Sequence, residues 1–231
     1  MTHVVLISGA GSGIGAATAM RFAAAGSTVV LLGRRVEALK ETAVHCHERA
    51  VILPCDVTDP VAVRAAVAHV EFRYGHIDVL VSAAGTNLPA RTVPELTAAS
   101  WQMMLDANLT GAFYLMTACA QLVRNARGVV IAIGSTSVPR PSALGGAAYN
   151  AAKSGLSAFV RTMAQEEAAH GVRMTMLQPG EVDTPLIDKR PAPVSAERRA
   201  TMLQSDDVAL TIQFIAGLPA RCPNSPRRRG K

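Results

Sequence analysis

Near the start of the chain, the apolar run Val4-Val5-Leu6-Ile7 passes directly into Ser8-Gly9-Ala10-Gly11-Ser12-Gly13-Ile14-Gly15, and an alanine-rich stretch then continues to Gly26. An apolar run, a glycine cluster and a helix-forming stretch in that order read as strand, tight turn and helix. Glycines let a backbone turn sharply and come close to a pyrophosphate, whose charge sits well at a helix N-terminus where free N–H groups point. The spacing Gly9, Gly13, Gly15 differs from the commoner G-x-G-x-x-G fingerprint, although the physics is shared. A plain glycine-rich turn stays open as the alternative at this point. Further along, short apolar runs keep alternating with alanine-rich segments, which predicts parallel strands joined by right-handed helical crossovers. Strands are expected near 3–8, 28–32, 50–54, 77–82, 128–134 and 172–178. Helices are expected at about 13–25, 36–48, 60–74, 97–126, 147–170 and 206–217. With 231 residues the chain suits a single α/β domain with a substantial core.

A second constraint is chemical. In Ala147-Ala148-Tyr149-Asn150-Ala151-Ala152-Lys153 a phenol and an ammonium stand four residues apart, on one face of a helix. An adjacent cation stabilises a phenolate and brings its pKa down from about 10. A phenol tuned in this way exchanges a proton with a carbonyl/alcohol pair near neutral pH. The same spacing also arises on helices that merely expose two such side chains, so the pair needs company.

That company is Ser82-Ala83-Ala84-Gly85 after the run Val79-Leu80-Val81, Asn108 within Met104-Leu105-Asp106-Ala107-Asn108, Ser135 after Val129–Gly134, and Pro179-Gly180 with Thr184 beyond. With the glycine turn and the Tyr149/Lys153 pair, these six segments, in this order, resemble the short-chain dehydrogenase/reductase family over about residues 3 to 218. The family's T-G-x-x-x-G-x-G turn stands here with serine at its first position, and its N-N-A-G segment is reduced to Ser82–Gly85. The resemblance implies a single-domain, Rossmann-like, doubly wound parallel sheet flanked by helices. It implies an oxidoreductase that moves a hydride between a nicotinamide cofactor and a carbonyl or secondary alcohol. Tyr149 would be the general acid/base, Ser135 would orient the carbonyl, Lys153 would keep the phenol acidic and hold the nicotinamide ribose, and Asn108 would help a water relay reach Lys153. Ser135-Thr136-Ser137 offers a second serine: Ser135 lies fourteen residues before Tyr149 and Ser137 twelve. Ser135 is preferred for its place in Ile133-Gly134-Ser135, and Ser137 remains the alternative.

The resemblance also distributes cofactor contacts. They fall on Gly9, Ser12, Gly13, Ile14 and Gly15, on Asp56 and Val57, and on Ser82, Ala84 and Gly85. Further contacts fall on Tyr149 and Lys153, and on Pro179, Gly180, Val182 and Thr184. Where the second strand ends, an NAD-type site usually carries a carboxylate for the ribose, while arginine accommodates a 2′-phosphate. This chain reads Leu32-Gly33-Arg34-Arg35 there, so NADP is expected over NAD, with Arg34 and Arg35 as phosphate partners. Ser12, where NADP-preferring relatives often carry a basic residue, is a counter-signal. Asp56 is assigned to the adenine amino group, or else it caps the following helix; Asp59 before Pro60 is the better cap candidate.

The segment from Thr184 to Ser205 should cover the substrate. It is short and charged, which favours a small polar carbonyl compound or hydroxy acid, with Arg190 or Arg140 as possible carboxylate partners. A merely solvated, charged lid is the alternative. Four cysteines without paired spacing suggest reduced thiols and a cytoplasmic protein. His45-Cys46-His47 sits on successive helical positions that point apart, so no metal is expected. No apolar run approaches membrane-spanning length, and the first strand begins too near Met1 for a signal peptide.

Residues 219–231 depart from the family. They carry five positive charges and no negative ones, so of the chain's formal +6 only +1 belongs to the rest. Prolines and arginines argue against a buried strand, so the last edge strand is expected to be missing and 219–231 to form a basic, disordered tail beyond a 1–218 domain. A basic run without a reading module implies no specific nucleic acid. A homodimer through the helices at 97–126 and 147–170 is expected, with the usual tetramer in doubt. A non-catalytic NADP-binding sensor is the alternative function.

Overall fold

The central strands bury both faces, which is why they read as unbroken apolar runs. A computed structural model describes residues 2–221. Its six strands are β1 (Val4–Ser8), β2 (Thr28–Gly33), β3 (Ala50–Pro54), β4 (Val79–Ser82), β5 (Val129–Ile133) and β6 (Arg173–Leu177). All pair in parallel, in the order β3-β2-β1-β4-β5-β6. Every strand expected from the sequence is present.

Side chains of a strand alternate between faces, so odd and even positions build two cores. Val4, Leu6, Val30, Leu32, Leu80 and Val130 face one layer, with α3 (Pro60–Tyr74), α5 (Gly111–Ala126) and α6 (Ala147–Glu167) packed on it. Val5, Ile7, Val29, Leu31, Val81 and Ile131 face the other, covered by α1 (Gly13–Ala24), α2 (Val36–Cys46) and α8 (Ser205–Gly217). Helices on both faces of a twisted parallel sheet are the doubly wound arrangement expected from the sequence.

Local chemistry sets the boundaries. Asp59 caps α3, its carboxylate accepting from the Val61 amide at 2.8 Å with Pro60 in the first turn, and Gly75 at φ +71° ends that helix. Asp56 is therefore not the helix cap. The helix expected over 97–126 is broken: α4 (Ala98–Leu105) is separated from α5 by a π-turn at Asp106–Thr110, closed by Gly111 N–H donating to the Asp106 carbonyl. Beyond β6 lies structure the sequence did not suggest. A two-residue parallel ladder joins β7 (Val182–Asp183) to β8 (Leu203–Gln204), with the short α7 (Ala196–Ala200) between them.

Among the described residues β6 pairs only with β5 and forms the sheet edge. The expectation of a tail without strand structure falls, apart from Pro219, Ala220 and Arg221, on residues outside those described. No described helix is long and apolar enough to cross a membrane.

Candidate active site

From β1 the chain crosses to β2 and β3 on one side, then returns past β1 to β4 on the other, so a crevice opens at the carboxyl ends of the strands where the order reverses. A cavity of about 600 Å³ occupies that crevice.

Its floor is the glycine turn. Gly9 adopts φ +71°, and a side chain there would come within 2.8 Å of the Ala84 amide nitrogen. A Cβ on Gly15 would lie 2.3 Å from the Gly9 carbonyl oxygen. The turn is thus folded tightly on itself and against the loop after β4. Ser8 fastens that contact, its hydroxyl accepting from the amides of Ala83 and Ala84, both at 3.2 Å. Ser12, the N-cap of α1, makes no side-chain cap; its hydroxyl instead accepts from Arg35 at 3.2 Å. The first amides of α1 are therefore left without a side-chain partner. Gly9, Ser12, Gly13, Ile14 and Gly15 all line the cavity, and Thr184 closes over them, within 3.1 Å of where a Cβ on Gly13 would be.

At one end the cavity meets a recess of about 170 Å³ lined by Gly33, Arg34, Arg35, Asp56 and Val57. Arg34 is largely exposed and lies 3.7 Å from the Asp56 carboxylate. Asp56 accepts from the Thr58 amide at 3.0 Å and its hydroxyl at 2.8 Å. Burial raises the Asp56 carboxyl, but the two Thr58 hydrogen bonds and Arg34 outweigh it and hold the group below its ordinary range. α2 begins at Arg35 without a side-chain cap, so its first turn also faces the recess with open amides.

At the other end stand the residues of proton chemistry. Tyr149, half-buried in the first turn of α6, stands near Ser135, whose hydroxyl eases ionisation of the phenol. The Ser135 hydroxyl also accepts from the Ser137 amide at 3.1 Å, whereas the buried Ser137 hydroxyl has no protein partner. Of the two serines, it is Ser135 whose hydroxyl influences the phenol. Lys153 is buried one turn further along α6 and donates to the Ile133 carbonyl at 2.9 Å. Its ammonium nitrogen is 5.8 Å from the Tyr149 ring centroid, and burial lowers it to about 8. Burial raises the Tyr149 phenol, with partial relief from the Ser135 hydroxyl and the charge of Arg91. The expectation that Lys153 brings the phenol down is therefore corrected: the cation acting on Tyr149 is Arg91, and the net direction is upward.

Asn108 lies in the π-turn, 1% exposed. Its side-chain oxygen accepts from the Thr86 amide at 3.1 Å, and its nitrogen donates to the carbonyls of Thr86 and Met104, both at 3.0 Å. The side chain is thus committed to clamping the loop after β4. Ala84 and Gly85 line the cavity beside it, as do Pro179, Gly180 and Val182 from the β6 side. Ser82 does not: it is the buried last residue of β4, in register with Ser8 and Ala132, and Ala83 takes its place on the cavity wall.

Four contributors were missed as functional positions. Ser8 stood inside the glycine-turn motif without a role; Thr86 and Arg91 lie in loops and Lys189 ends a single 3₁₀ turn, Ile187–Lys189, segments too short for a period to betray them. Arg91 is 5% exposed, lines the cavity and donates to the carbonyls of Leu144, at 2.8 Å, and Lys189. The covering segment is not a merely solvated, charged lid. Glu181 accepts from Arg190 at 2.8 Å and Arg198 at 2.5 Å, and Arg199 pairs with Asp183 at 2.9 Å and with Asp188.

Comparison with known proteins agrees with this geometry. Residues 3–194 match the family described as short chain dehydrogenase. The chain is 32% identical to a 3beta-hydroxysteroid dehydrogenase of Mediterraneibacter gnavus, over 88% of this chain and 75% of that one. It is 30% identical to a serine 3-dehydrogenase of Agrobacterium fabrum, over 95% and 90% respectively. Among solved structures, an alcohol dehydrogenase from the archaeon Thermococcus sibiricus, complexed with 5-hydroxy-NADP, superimposes with a TM-score of 0.86 at 26% identity, covering 96% of this chain and 94% of that one.

Proposed function

The chain belongs to the short-chain dehydrogenase/reductase family, and we propose that it transfers a hydride between NADP(H) and a carbonyl or secondary alcohol, with Tyr149 as general acid/base. The observation that carries this reading is the meeting, in one cavity, of Ser135, Tyr149, the buried Lys153 and the uncapped start of α1.

The residues present fit a dinucleotide. A glycine turn that tolerates no Cβ at Gly9 or Gly15 leaves backbone N–H groups where a pyrophosphate would be held. Arg34 and Arg35 follow Gly33, a position without a carboxylate, beside the open first turn of α2; this favours a 2′-phosphate and hence NADP. Asp56 and Val57 would hold the adenine end, and Ile14, Ala84, Gly85, Pro179, Gly180, Val182 and Thr184 the remainder. The Thermococcus sibiricus relative was solved with an NADP derivative, which supports the same choice. When bound, such a cofactor would supply the hydride for carbonyl reduction or, in its oxidised form, accept it from the alcohol.

The protein's own residues supply position and protons. Like any phenol, Tyr149 carries its proton at neutral pH, and burial holds it more firmly; it can donate that proton to the oxygen of a carbonyl undergoing reduction. Ser135 takes the Ser137 amide on its lone pairs, which leaves its own O–H to orient and stabilise that oxygen. Lys153 spends one of three N–H donors on Ile133 and has others for a ribose and for returning a proton toward Tyr149. Asn108 keeps the Thr86 loop in place around these groups. Buried, unpaired thiols at Cys46, Cys55 and Cys119 accord with a cytoplasmic setting. A panel of aldehydes, ketones and hydroxy acids, followed by absorbance of the reduced cofactor with NADPH and NADH in parallel, tests the reading. Turnover that prefers NADPH is expected; preference for NADH would overturn the cofactor assignment, and silence across the panel the enzymatic one.

A further inference from the structure

The half of the cavity beyond Tyr149 is lined by four cationic side chains, Arg91, Arg140, Lys189 and Arg190, and by one carboxylate, Glu181. Glu181 is already engaged by Arg190 and by Arg198. Among the described residues, Arg91, Arg140 and Lys189 have no carboxylate at ion-pair distance. Lys189 is satisfied only by a neutral group, the Thr86 hydroxyl at 2.6 Å.

Arg91 is the informative member. A buried charge without a counter-charge is costly, and such residues are nearly always paired. Arg91 is 5% exposed, and its two protein acceptors are neutral carbonyls that take one N–H each from a group with five. Its Nε is buried and has no hydrogen-bond partner in the protein. Burial and the nearby Arg190 both lower its pKa, and Tyr149 raises it, so its charge is strained by its surroundings and lies within electrostatic reach of the phenol. Bridging Leu144 to Lys189 explains two N–H groups but not why a full charge is kept there.

We propose that Arg91, with Lys189 and Arg140, forms a subsite for an anionic oxygen group of the substrate, a carboxylate or a phosphate, placed so that its carbonyl or hydroxyl rests between Ser135 and Tyr149. Of the two partners suggested by sequence, Arg140 is kept, whereas Arg190 is neutralised by Glu181 and is not the anchor. The inference deepens the oxidoreductase reading and rests on it for the position of the reacting oxygen. The subsite itself is independent of turnover.

Its test is therefore binding. Ligand-observed NMR titration of the full chain in the presence of NADP⁺ would compare butyrate, propyl phosphate and the neutral butyramide. At least tenfold tighter binding of one or both anions than of butyramide is expected, and the better of the two identifies the anion class. That margin should vanish in Arg91→Gln, return in part in Arg91→Lys, and shrink at high salt. Because Arg91 is buried, the exposed pair Lys189→Ala/Arg140→Ala provides a second variant that spares the core; it should reduce the margin severalfold. Equal binding of all three probes by the wild type, or an anion margin untouched in both variants, would overturn the proposal. Anion selectivity without any NADPH oxidation by charged ketones would leave the subsite standing and count against the enzymatic reading alone.

Discussion

Lys153 is a buried cation at the heart of the site, and its energetics can be separated from its role. Burial holds its folded-state value near 8 against an ordinary 10.5. Between those values the unfolded chain binds more protons than the folded one, so this group's contribution to stability rises with pH across that window. Below it, keeping Lys153 charged costs the fold on the order of 3 kcal/mol. Lys153→Met should therefore gain melting temperature relative to wild type at pH 7 and lose that relative gain by pH 10, while activity is lost at both. A melting difference independent of pH would show that the ammonium is not destabilised by burial. Arg34→Ala should weaken NADPH binding by roughly 1.5–3 kcal/mol and NADH binding far less. Gly33→Asp should favour NADH, at a small packing cost because the new Cβ would stand 3.2 Å from Leu39 Cδ2. Titration with both cofactors checks each; equal losses for both in Arg34→Ala would point to a folding role. That Tyr149, Lys153 and Ser135 line one cavity was legible, because the Tyr-x-x-x-Lys spacing and the strand end before Ser135 are visible in the sequence. Arg91 was not, since a lone arginine in a loop carries no periodic signal and its burial is a tertiary fact.

Elements were legible where one period dominates. Fully buried strands give unbroken apolar runs, and all six were found. The π-turn at Asp106–Thr110 was missed because it changes which carbonyl each N–H finds without changing the apolar pattern of its flanks. The β7–β8 ladder was missed because two-residue strands are set by the covering segment's ion pairs rather than by propensity. Ser8 shows how one residue links elements, joining the glycine turn after β1 to the loop after β4 through two backbone donors. Ser8→Ala removes the acceptor of those part-buried amides, which should cost about 0.5–1.5 kcal/mol. Denaturant unfolding with and without cofactor would measure it; unchanged stability together with unchanged cofactor affinity would remove Ser8 from this account.

For the molecule as a whole, the exposed aromatic surface of α4 and α5 invites a second copy. Phe113 is 44% exposed and meets the Phe159 ring of α6 edge-on at 5.6 Å, with Trp101 and Met103 exposed on α4. The expected homodimer through these helices predicts that Phe113→Glu shifts the solution mass toward monomer, whereas deletion of 220–231 leaves it dimeric. Light scattering distinguishes the two, and a monomer produced by the deletion alone would assign assembly to the tail. The central claim of the proposed mechanism is that the Tyr149 hydroxyl supplies the proton and that cofactor affinity does not depend on that hydroxyl. Single-turnover NADPH oxidation by Tyr149→Phe, with cofactor affinity measured on the same sample, tests it most directly. A rate lower by about 10²–10⁴ at nearly unchanged affinity is the predicted result; a rate equal to wild type on an established substrate would contradict the mechanism.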